Sequence, residues 1–231
     1  MNKTEIFLEK YKELEAAASD VYKLSENDKP IACLEKKPEF WYEKQKLKYC
    51  REVRNFCQHT IKDNSEFLVT PSDQMIELIS QLIEKVRNLP RGKDYAVSFD
   101  KVFSCNLGDY VQLAMKTMRE HNYTHIPVLE QGKIIGVFSE NTLFSYILDN
   151  EIVSIDKDTK FRDLGNYLAV KDHETETFYF LPWDVLISNV KKLFEDALSR
   201  MERIGMIFLT KSGKETEKPM GILTSWDILG N

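Results

Sequence analysis

Two stretches of this chain share one layout, and a supersecondary unit written twice restricts the fold more than any other feature. In the later stretch, apolar runs at 206–209 and 220–223 flank a polar turn that contains Gly213. That is a hairpin signature. Thr224 follows at once and is placed to cap a short helix that Ser225 begins. In the earlier stretch, 126–129 is apolar, Glu130, Gln131, Gly132 and Lys133 make the turn, and 134–138 is apolar again. Ser139 then caps, and 143–148 reads as helix.

The rest of the chain is organised around these two units. Before Gly92 the apolar spacing is helical. Phe7, Tyr11, Leu14, Ala18 and Val21 recur at three and four behind a cap at Thr4. Lys29-Pro30 and Lys37-Pro38 interrupt the pattern, a second helix is expected from Glu39 to near His59, and Met75, Ile79, Leu82, Val86 and Leu89 form a further stripe. Pro90, Arg91 and Gly92 then mark a boundary. Beyond it, 97–103 reads as a strand, Asn106 as the cap of a helix burying Val111, Ala114, Met115 and Met118, and 161–168 as a short helix in a charged connector. Phe178 opens a strand, and Val190, Leu193, Phe194, Ala197 and Met201 follow at helical spacing. The expected fold class is α+β: an all-α helical bundle over 1–90, then strand-helix-strand-strand-helix units at 95–150 and 177–231, joined by a connector over 151–176.

Composition narrows the function classes. Hydrophobic residues make up 42% and charged residues 30% of 231, so a sizeable core is affordable. No apolar run approaches the roughly 18–20 residues of a membrane span, and no signal peptide is visible ahead of the first amphipathic pattern. Cys33, Cys50, Cys57 and Cys105 lack metal-ligand spacing and read as reduced thiols of a cytoplasmic protein. A net charge of −5 argues against broad electrostatic binding of nucleic acid, though not against a local basic groove.

The repeat resembles a tandem pair of CBS domains, or Bateman module. The resemblance covers about 95–229. It rests on His125-Ile126-Pro127-Val128 with Gly136-Val137-Phe138-Ser139, and on Gly221-Ile222-Leu223-Thr224 with Asp227. In that family a glycine, two apolar residues, Ser or Thr, two more residues and Asp form the nucleotide-contacting signature. The resemblance implies a regulatory adenine nucleotide: ATP, ADP, AMP or a cyclic dinucleotide. The hydroxyl at a helix start can meet phosphate, and a carboxylate can accept from both ribose hydroxyls. Thr224 and Asp227 fit completely. In the first copy Ser139 fits, but Thr142 stands at the Asp position and cannot make the bidentate contact, so the stronger half-site is expected at Asp227. Ile126, Val128, Met206 and Phe208 are the candidates to sandwich the adenine ring. The other reading of Thr224 and Asp227 is a helix cap complementing a dipole. Trp41, Trp183 and Trp226 read as core or interface residues.

In the N-terminal third, Arg54-Asn55 followed by His59 resembles the motif of HEPN domains, helical bundles of which many are metal-independent ribonucleases acting as dimers. The resemblance covers about 1–89, chiefly through this motif. It implies His59 as the base for an RNA 2′-hydroxyl, Arg54 as the cation for the phosphorane, and Asn55 as an orienting group. At about 100° per residue, Leu47, Cys50, Val53, Phe56 and Cys57 define an apolar arc that includes Arg54. A guanidinium there must be paired or lie at an interface. Arg54 and His59 stand about 140° apart on an ideal helix, so a distortion or a second subunit would have to bring them together.

Together these readings point to a homodimer whose nucleotide-sensing half controls a ribonuclease half, with RNA as substrate, no metal and no membrane association. The rival is a non-enzymatic sensor whose helical domain mediates dimerisation or partner binding. A third reading is a structural CBS pair without ligand.

Overall fold

The computed structural model describes residues 2–59, 70–151, 155–173 and 175–229. The chain divides into two compact units, Met1–Leu89 and Pro90–Asn231.

The first unit is helical among its described residues. Helix α1 (Lys3–Tyr22) is capped by Asn2, not Thr4. The Asn2 side chain accepts from the Glu5 N–H at 2.8 Å, and Glu5 accepts from the Asn2 N–H at 2.9 Å. This reciprocal box satisfies two donors that a helix start leaves open, and it moves Thr4 into the buried first turn. Short α2 (Pro30–Leu34) and a 3-10 turn (Pro38–Phe40) occupy the Lys-Pro interruptions. Helix α3 (Lys44–His59) begins later than expected. Helix α4 (Asp73–Arg87) starts at Ser72, whose hydroxyl accepts from the Met75 N–H. The stripes on α1 and α4 face each other, with Phe7, Leu14, Ile79 and Val86 fully buried. Lys3–Asp73 and Glu13–Arg87 ion pairs tie their flanks.

The second unit holds the two repeats as two sheets. Strand β2 (Cys105–Asn106) lies parallel to β3 (His125–Glu130), which pairs antiparallel with β4 (Lys133–Ser139). The other sheet has the order β1-β7-β6-β5, from β1 (Val97–Ser98), β5 (Thr177–Pro182), β6 (Ile204–Thr210) and β7 (Pro219–Leu223). Helices α5 (Val111–His121), α6 (Glu140–Asp149), α7 (Ile187–Ser199) and α8 (Ser225–Leu229) complete two β-α-β-β-α units. The correspondence extends to register. Gly136 faces Val128 across one hairpin and Gly221 faces Leu209 across the other, and each ladder shifts one step beyond that pair.

Each repeat is finished by a segment lying before or after the other one. Ser98 of β1 pairs with Gly221 in the second repeat, and Ala169, within the connector, bridges to Gly136 in the first. Arg91 bridges to Leu186 and Lys160 to Tyr110 in the same alternating manner. The turns after Arg91 and Lys160 are 3-10, and Asp94 and Asp163 accept from the Arg91 and Lys160 N–H groups at 2.8 Å. The segment 97–103 is therefore not one strand. It is β1, a 3-10 turn (Phe99–Lys101), and an approach to β2. Asn106 does not cap α5, which starts after Tyr110 without a side-chain cap.

One core packs α5 on β3 and β4 together with Phe161, Leu164 and Leu168 of the connector. A second packs α7 and α8 on β6 and β7. Between the two sheets lies a shared layer of Ile134, Val137, Phe178, Met206, Phe208 and Ile222.

Candidate functional site

A cleft of about 460 Å³ opens where the beginnings of β3 and β6 meet. Its walls come from Asn122, Tyr123, Thr124 and His125 on one side and Arg203, Ile204, Gly205 and Met206 on the other. Thr224, Ser225 and Trp226 at the start of α8 and Val97, Lys101, Val102 and Phe103 ahead of β2 complete its lining. The local reasons are clear. Both strands begin just after their helices, α5 and α7, end, so each chain reversal is delivered to the same edge. Asn122 ends α5 in the left-handed conformation at φ 57°, one that asparagine tolerates better than most residues.

The cleft combines apolar surface with convergent polar groups, the usual character of a small-molecule site. Met206 and Ile222 supply a floor, Tyr123 and Trp226 supply exposed rings, and Lys101 and Arg203 supply positive charge. Trp226 is 84% exposed, so it is neither core nor covered interface within this chain. It lines the cleft, a placement the reading of Trp226 as core or interface did not include. Its place directly behind Thr224 and Ser225 was the available signal. Arg203 and Lys101 carried no signal beyond being basic, since their relevance depends on long-range packing.

Asp227 stands behind the wall rather than in it. Its Oδ2 accepts from both the Thr224 N–H and the Thr224 hydroxyl, each at 2.7 Å. The carboxylate thus fixes the Thr224 hydroxyl that borders the cleft. Of the four residues expected around an adenine ring, Met206 lines the cleft. Phe208 is buried between the sheets, and Ile126 and Val128 are buried in the first repeat.

The first copy of the signature is arranged differently. The Ser139 N–H donates to Thr142 Oγ1 at 3.1 Å, and the Thr142 N–H donates to Ser139 Oγ at 3.3 Å. The Thr142 hydroxyl then donates to the Val137 carbonyl at 3.4 Å. Both residues are only 2% exposed, so their polar atoms serve the helix start. Beside them lies Glu176, whose side chain is 2% exposed. It accepts from Asn141 Nδ2 at 3.0 Å, and its other oxygen stands 3.1 Å from His125 Nε2. Arg203 Nη1 is 3.9 Å away. Burial opposes ionisation of Glu176, but His125, Ser139 and Arg203 outweigh it and hold the carboxyl below its ordinary range. His173 packs edge-on to Phe178, as does His125, and burial lowers its pKa against the opposing pull of Glu176.

In the helical unit, the arc on α3 is narrower than expected. Leu47, Cys50 and Cys57 are buried, Val53 is half-buried, and Phe56 is 63% exposed. Arg54 is half-buried, with its guanidinium 5.5 Å over the Tyr11 ring, and its Nη1 donates to Asn55 Oδ1 at 3.2 Å. Tyr11 is pushed up to about 12, by burial first and by Glu15 second, against the pull of Arg54. His59 ends α3, and its side chain lies outside the described residues.

Residues 93–149 match the family model of the CBS domain. The CBS domain so marked is the first repeat, and the second has the same order of strands and helices, so Pro90–Asn231 is a pair of CBS-type units. Solved structures similar to this chain include the CBS domain pair of protein MJ0100 in complex with 5′-methylthioadenosine and S-adenosyl-L-methionine. It is 15% identical, covering 62% of this chain and 94% of that one, with a TM-score of 0.42. CBSX2 in complex with AMP is 15% identical over 61% of this chain and 93% of its own, at a TM-score of 0.43. CbpB in complex with c-di-AMP is 12% identical over 62% and 83%, at 0.46. No curated protein matches the chain. Among the described residues, no helix is long and apolar enough to cross a membrane.

Proposed function

We propose that the CBS pair is a receptor for an adenine nucleotide, bound in the cleft between the starts of β3 and β6. One observation carries the reading. The cleft joins the hydroxyl of Thr224, held in place by Asp227, to the cations Lys101 and Arg203 and to exposed aromatic and apolar surface. That set suits a ligand with a flat ring at one end and phosphate at the other. Titration calorimetry with AMP, ATP and c-di-AMP tests it. Thr224→Val is expected to weaken binding about tenfold, the loss of one hydrogen bond to a charged group, about 1.5 kcal/mol. Asp227→Ala is expected to weaken it as well, by releasing the Thr224 hydroxyl. Equal affinity in all three proteins would place the ligand elsewhere.

The helical unit is proposed as the output of this sensor, acting as a metal-independent ribonuclease in a homodimer. Arg54 favours that over a plain dimerisation platform. It is held half-buried over Tyr11, with its fork directed by Asn55 and still accessible. A ligand changes the activity only if it binds one arrangement of the dimer better than another. Purified protein is expected to cleave labelled RNA in chelator, with Arg54→Ala and His59→Ala each lowering the rate at least a hundredfold. Cleavage unaffected by either change would leave a non-enzymatic sensor.

A further inference from the structure

The cleft beside Thr224 has a counterpart that the repeat itself defines. Matching hairpin register makes Ser139 the equivalent of Thr224, and the stretches 122–125 and 203–206 equivalents of each other. Exchanging the two repeats therefore keeps both strand starts as walls and replaces 224–226 by 139–141. At that second position the two strand starts do not line an open cleft together, and the space of about 490 Å³ beside Ser139 is walled by 122–124 and α5 instead of by 203–206. The carboxylate of Glu176 stands at the second position, reached by Asn141 from the first turn of α6, by His125 from β3 and by Arg203 at the entry to β6. Each partner belongs to one of the three equivalent walls.

We propose that Glu176 is a built-in anion filling the second of two related ligand positions, so that the CBS pair takes one nucleotide per chain rather than two. This rests on the reading of the Thr224 cleft as a nucleotide site. A phosphate entering the second position would have to displace a carboxylate that is already buried and paired, and would meet its negative charge in a poorly screened setting. The Ser139 and Thr142 hydroxyls are occupied with each other and with Val137, so they offer the phosphate nothing in exchange. His125 borders the open cleft with one side of its environment and holds Glu176 with the other. The closed position thereby braces a wall of the open one.

Calorimetric stoichiometry on the full chain, with AMP as the probe, tests the assignment. Wild type is expected to bind one AMP and Glu176→Ala two. Two AMP on wild type, or one on wild type and still one on Glu176→Ala, would overturn it. No binding by wild type but one AMP on Glu176→Ala would keep the occlusion and reject the Thr224 cleft as the nucleotide site. No binding by either protein would reject both. If Glu176→Ala does not fold, wild type answers alone by NMR. AMP is expected to shift the Thr224 backbone amide and leave the Asn141 side-chain amide in place, and an Asn141 shift as large as that of Thr224 would overturn the proposal.

Discussion

Glu176 and His173 make the second unit sensitive to acid. The Glu176 carboxyl is held below its ordinary 4.5 in the fold. Its stabilising contribution is therefore complete above 4.5 and is lost as pH falls from there through the depressed folded value. His173 is held below its ordinary 6.5 by burial, with Glu176 and His125 as the titratable groups nearby. The unfolded chain binds this proton first, so stability also falls as pH drops below 6.5. Melting temperature is expected to decline in two stages on acidification. His173→Gln should flatten the stage that begins near 6.5, and Glu176→Gln the stage that begins near 4.5. A single decline identical in all three proteins would assign the acid response to other groups. Neither residue was legible as special in the sequence. His173 sits in a charged stretch, and nothing local distinguishes Glu176 from the exposed Asp172 nearby. Thr224 and Asp227, in contrast, were legible because a cap and its carboxylate partner are three residues apart and interact locally.

At the level of elements, Gly136 and Gly221 allow the alternating strand additions. A Cβ on Gly136 would lie 2.3 Å from the Leu168 carbonyl oxygen, and one on Gly221 would lie 2.9 Å from that of Val97. Both obstacles are backbone, which cannot rotate away as a side chain can. Either Gly→Ala change is expected to push the added segment off its sheet, at about 1–3 kcal/mol, with Gly136→Ala the more damaging. Urea unfolding checks this as a lower midpoint at unchanged slope. A midpoint that does not move would mean that the bridges at Ala169 and Ser98 contribute little. Hairpins, helices and the α1 and α4 stripes were readable from periodicity, because each buries one face of a local repeat. The extent of β1 was not. A two-residue strand has no periodicity, and Val97–Ser98 exists because β7 offers an edge.

Over the whole molecule, the unit that folds is not the unit the repeat suggests. The first repeat buries Phe161, Leu164 and Leu168 from beyond the matched segment 93–149. A fragment of 90–150 is expected to lack dispersed amide signals in NMR. A fragment of 102–170, which carries those three side chains, is expected to gain helical and strand signal by circular dichroism. Equal folding of the two would show that the connector is dispensable to that core. By itself the sequence determined that a hairpin-and-helix unit occurs twice after a helical third. It did so because turns, caps and apolar spacing act over a few residues. Only the tertiary structure decided which segment completes which sheet, which Trp and Arg reach the cleft, and which carboxylate occupies the related position. Those outcomes depend on surfaces far apart in the chain, and an apolar pattern states that a face will be buried without stating against what.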